Sequence, residues 1–126
     1  MIIQLNKPEI SILLLHMSIT RDKIKKGFKR NYKSNHKEKL NSYDDVKNAL
    51  ANEIEQLEQM NENELIMFNF NINEINMLSS FLNWYATNLE SLLKSSNKYF
   101  GEDKMQVEIL KNINTKVQRS IDVQYA

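Results

Sequence analysis

The chain has 126 residues, no Cys, two Gly, one Pro and a formal net charge of +1. Without Cys there is no disulfide scaffold, thiol nucleophile or Cys-based zinc site, as suits a reducing cytosol. Few turn-forming residues against 41% hydrophobic residues favour long helices over a many-stranded sheet, and the length fits one domain.

Met1 to Leu5 reads as a short strand with Ile3 and Leu5 on one face. Asn6 and Glu9 then have the spacing of a capping box, in which the Asn side chain accepts from a first-turn N–H and the Glu reaches back to the cap. Pro8 suits the first turn, where a missing N–H removes no intrahelical bond. The helix is expected from Lys7 to about Lys26, on a broad stripe of Ile10, Leu13, Leu14, Met17 and Ile24 widened by Ile12, Leu15 and Ile19. Gly27 is the expected stop. The apolar stretch Ile10 to Ile19, broken by Ser11, His16 and Ser18, is about half the ~20 residues of a membrane-spanning helix. With no basic region before it and no cleavage site after it, no signal peptide is expected, and the protein reads as cytoplasmic.

Residues 28–42, FKRNYKSNHKEKLNS, have no clean period and are expected to form a basic, flexible loop. Asn41 or Ser42 then caps a second amphipathic helix, with Asp44 and Asp45 in its first turn and Val46, Ala49, Leu50, Ile54, Leu57 and Met60 on its apolar face. The cluster Asn61 to Asn63 ends it. Leu65 to Phe70 reads as a second strand, with Ile66, Phe68 and Phe70 on one side. Asn71 and Glu74 repeat the capping box ahead of a helix from Ile72 to Ser95 on Ile75, Leu78, Leu82, Tyr85, Leu89 and Leu92, with Met77, Phe81, Trp84 and Leu93 extending the face. A last helix is expected from about Asp103 to Ser120, with residues 121–126 fraying.

Residues 3–9, Ile-Gln-Leu-Asn-Lys-Pro-Glu, are thus echoed at 68–74, Phe-Asn-Phe-Asn-Ile-Asn-Glu. The expected fold is mainly α within the α+β class: a duplicated β-α-α unit, with pseudo-repeats 1–62 and 63–126 joined into one core. A four-helix bundle would pack on a short two-stranded, antiparallel β-ribbon. Two strands alone are marginal in water, so the ribbon must lean on the helices or be extended by another subunit, and its edges admit a homodimer.

The chemistry-bearing residues have bland readings. His16 lies among apolar neighbours with no Cys, Asp or second His at helical ligand spacing, so it reads as a core or boundary histidine. His36 adds to the basic loop. Glu53, Glu55, Glu58, Glu62 and Glu64 lack the Gly-centred pattern of a calcium loop and read as a solvated face. There is no Gly-rich phosphate loop, nucleophile elbow or H-E-x-x-H pattern, so no enzyme, metal or cofactor is expected.

Charge is the strong signal. Arg21 to Lys39 holds nine Lys or Arg against two acids, whereas Tyr43 to Leu93 holds nine acids against Lys47 alone. The candidate contact residues are Lys25, Lys26, Lys29, Arg30, Tyr32, Lys33 and Lys37, with Arg30, Tyr32 and Lys33 foremost. The leading expectation is a small non-enzymatic regulatory or inhibitory protein that binds another protein. The frequent Asn, Lys and Ile suit an AT-rich bacterial or phage genome. The runner-up is a nucleic-acid binder in which cations neutralise phosphates and Phe28 and Tyr32 stack on bases.

Overall fold

The chain's local signals and its structure meet first at the two Asn-capped helices. A computed structural model describes residues 1–124. Its elements are β1 (Ile2–Asn6), α1 (Lys7–Asn31), α2 (His36–Ala51), α3 (Ile54–Leu57), β2 (Leu65–Asn69), α4 (Ile72–Ser95) and α5 (Gly101–Gln124). Both capping boxes form. Asn6 Oδ1 accepts from Glu9 N at 2.9 Å while Glu9 Oε1 accepts from Asn6 N at 2.9 Å. The Asn71 and Glu74 pair repeats this at 2.8 and 2.9 Å. In each case two first-turn donors without intrahelical partners are satisfied by the two side chains.

The expected loop is helical instead. α1 runs through Gly27 to Asn31, and α2 starts at His36, so residues 32–35 alone connect them. The missed signal is sparse but regular: Ile24 and Phe28 lie one turn apart, as do Leu40, Tyr43 and Val46 in sequence along α2. Phe28 packs edge-on against Tyr43 with ring centroids 6.3 Å apart, and Leu40 is partly buried against the core. Those contacts hold both helices in place despite the surrounding Lys, Asn and Ser. Asp44 and Asp45 consequently lie inside α2 rather than in its first turn, and neither Asn41 nor Ser42 is the cap. α2 also stops at Ala51, well short of Met60, and the single turn of α3 buries Leu57.

The left-handed stop expected at Gly27 occurs instead at Asn97, whose φ is 57°. Lys98 N donates to Leu93 O at 2.7 Å and Asn97 N donates to Lys94 O at 3.2 Å, the paired bonds of a Schellman ending. α5 begins at Gly101, two residues earlier than expected, and continues through the predicted fraying region to Gln124; residues 125 and 126 lie outside the described residues.

β1 and β2 pair antiparallel, with Ile3 opposite Phe68 and Leu5 opposite Ile66. Ile3, Leu5 and Phe68 turn into the core. α1 packs on α2 and α5, α4 packs on the same two helices, and α1 and α5 also lie against β1. The core between them is built from Leu13, Met17, Tyr43, Val46, Leu78, Phe81, Leu82, Leu110 and Ile113, all buried. No described helix is long and apolar enough to cross a membrane.

His16 is the buried histidine the sequence suggested, 6% exposed. It joins three helices: Nδ1 lies 2.7 Å from Tyr85 Oη on α4 and Nε2 lies 2.7 Å from Gln106 Oε1 on α5. Gln106 Nε2 in turn donates to Glu102 Oε1.

Candidate binding groove beside Trp84

The last two turns of α1 carry Lys25, Lys26, Lys29 and Arg30; Tyr32 and Lys33 fall in the turn and Lys37 in the first turn of α2. Lys29 and Arg30 also complement the partial negative charge of the helix C-terminus. Helical spacing divides this basic segment. Lys23, Lys26 and Arg30, at three- and four-residue intervals, share one face of α1.

That face lines a groove of about 530 Å³ between α1 and α4. Its α1 wall is Lys23, Lys26, Gly27 and Arg30, Tyr32 closes one end, and Ser80, Phe81 and Trp84 of α4 form the far side. Trp84 is 52% exposed, unusual for so large an apolar ring. Its indole leans on Tyr85, with centroids 6.3 Å apart, and Phe81 beneath is buried. Tyr32 is half-buried, held edge-on by Phe28 at 5.8 Å and covered by the Lys39 ammonium 4.8 Å from the ring centre. Two rigid aromatic walls therefore flank the cationic side chains.

Among the described residues, no acid pairs with Lys23, Lys26 or Arg30. Arg21, one turn before Lys25, is by contrast engaged: its guanidinium grips Asp44 with two bonds of 2.8 and 2.7 Å. The hydrogen bond from Arg21 holds the Asp44 carboxyl below its ordinary range. That pair neutralises one acid of α2. α4 contributes no charge between Glu74 and Glu90, so the opposite wall is neutral.

Of the sequence candidates, the structure brings Lys26, Phe28, Arg30 and Tyr32 into the groove, while Lys25, Lys29, Lys33 and Lys37 do not line it. Lys23, Ser80, Phe81 and Trp84 join it unforeseen. For Lys23 a signal existed in its spacing to Lys26 and Arg30; for the α4 residues it was the juxtaposition of two helices far apart in sequence.

No group of three His, Cys, Asp or Glu able to hold a metal occurs among the described residues. Compared with protein-family models, curated proteins and solved structures, the chain matches none of them.

Proposed function

We propose that the chain is a small non-enzymatic regulatory or inhibitory protein that acts in the cytoplasm by binding another protein, and that the groove beside Trp84 receives an acidic surface of that partner. The observation that carries the reading is three unpaired cations, Lys23, Lys26 and Arg30, set around an exposed Trp84 and a braced Tyr32. Trp, Tyr and Arg in a partly desolvated cleft are the residue types that dominate binding energy at protein interfaces.

The proposed duplication of a β-α-α unit fits this reading. Asn6 and Asn71 cap, Lys7 and Ile72 open the first helix of each half, and His36 and Gly101 open the second at the same offset. We read the molecule as two β-α-α units closing a four-helix bundle, with the groove formed where the first helices of the two units face one another.

The test is capture from lysate of the source organism with tagged wild type, Trp84→Ala and Arg30→Glu proteins, with nuclease added. The expected result is one dominant acidic partner that survives nuclease and is lost with either variant, Trp84→Ala weakening binding by about 2 kcal/mol or some thirtyfold. Equal capture by all three proteins would remove the groove from the interface.

A second reading rests on the same exposed indole, because a base stacks on an aromatic face beside cations in single-strand binders. It predicts capture abolished by nuclease and affinity falling steeply with salt as counterions are released.

A further inference from the structure

The two edges of the ribbon are unlike. Phe70 N donates to Met1 O and the Met1 amine to Phe70 O, both at 2.9 Å. With the register Ile3 to Phe68 and Leu5 to Ile66, alternation along an antiparallel pair turns the main-chain groups of Ile2, Gln4 and Asn6 to one outer edge. Those of Leu65, Met67 and Asn69 turn to the other. The β1 edge is occupied: α5 lies along it, and Lys116 Nζ donates to Gln4 O at 2.8 Å. At the β2 edge, the outward N–H and C=O of Leu65 and Met67 have no hydrogen-bond partner among the described residues, and no described helix shoulders β2 as α5 does β1. Leu65 and Met67 are 51% and 63% exposed.

We propose that the β2 edge pairs antiparallel with β2 of a second copy of this chain, joining two ribbons into one four-stranded sheet. The occupant follows from self-complementarity. Leu65 to Phe70 contains no charge and no Pro, the devices that protect a strand edge from its own kind. With Met67 on the twofold axis, Leu65 of one copy faces Asn69 of the other, and the outward groups form about six main-chain hydrogen bonds. Glu64, the nearest acid, falls opposite Phe70 of the other copy, so no like charges meet. A two-stranded ribbon gains most from such extension, being the least stable sheet.

The experiment uses the full chain. Light scattering coupled to size exclusion measures mass over a micromolar dilution series, for wild type and Met67→Lys, with circular dichroism confirming that both are folded. Met67→Cys is then oxidised. The natural chain has no Cys, so this thiol is alone, and two such residues on the axis lie about 5.5 Å apart at Cα, within disulfide range. Expected are a concentration-dependent dimer, a folded monomer for Met67→Lys, and a covalent dimer for oxidised Met67→Cys but not for Leu65→Cys, which faces position 69. A wild-type monomer at every concentration overturns the proposal and leaves the edge to a strand of another protein. A dimer that survives Met67→Lys and fails to cross-link through Met67→Cys overturns it by setting the interface elsewhere.

Discussion

The two capped helix starts share a motif and differ in what the rest of the molecule makes of it. Glu9 and Glu74 each accept from their cap at 2.9 Å, but Glu9 is buried and its Oε1 also takes a 2.7 Å bond from Lys116 of α5. Glu74 is half-buried and has no ion pair among the described residues. A local sequence pattern dictates where the helix begins; the tertiary surroundings decide how much of the fold depends on it.

Four substitution experiments sharpen or break that comparison. Leu13 of α1 and Leu78 of α4 each lie seven residues after the capping Asn and are both fully buried. Ala at either is expected to cost about 2–5 kcal/mol in urea unfolding, by lost transfer energy plus the cavity left behind. If α1 and α4 contribute unequally to the core, those two values will separate. Next, Glu9→Ala leaves Lys116 without its partner and is expected to cost roughly 2 kcal/mol, whereas Glu74→Ala costs about 0.5–1 kcal/mol. Equal losses at the two positions would mean that Lys116 contributes nothing beyond the cap.

Tyr43 is buried in α2. Its hydroxyl donates to Met17 O at 2.6 Å, and burial pushes its pKa from the usual 10.0 up to about 12. In the unfolded chain the phenol ionises first, so its stabilising contribution is complete below pH 10 and is lost as pH rises towards 12. Tyr43→Phe should cost about 1 kcal/mol at neutral pH and flatten the alkaline fall in melting temperature. A residual slope is expected from Tyr85, which burial also pushes up. The smallest contrast is between the caps themselves: Asn6→Ala and Asn71→Ala should each cost about 1 kcal/mol by thermal melts, because the cap geometry is the same in both.

What the sequence made legible was whatever depended on near neighbours. Both strands, the caps at Asn6 and Asn71, the full extent of α4 and the burial of His16 follow from spacing within a few residues. The segment 28–42 failed because its periodicity is carried by few residues, Phe28, Leu40 and Tyr43, which matter only through one another across the α1–α2 interface. Gly27 failed for a related reason. A glycine after an apolar stripe is a stop only where the next residues have nothing to pack on, and Phe28 has Tyr43. In the groove, Lys26, Arg30 and Tyr32 were visible as charge and aromatic content. Trp84 was visible as an extension of the α4 apolar face, and its place in the groove depends on α1 residues more than fifty positions away.

Lys116 also sets an order of events. It joins Gln4 and Glu9 to the last helix, and β1's own partners are Leu65 to Phe70, so everything that completes the first strand is synthesised long after it. On the ribosome α1 and α2 can meet as a helical hairpin while β1 waits, its backbone unpaired, for the second half of the chain to emerge. The Lys116–Gln4 bond spans 112 residues against 69 for the Met1–Phe70 pair that closes the ribbon, so docking of α5 on β1 is the step that loop entropy delays most. Truncations that remove α5 should leave a nascent chain whose β1 edge is bare.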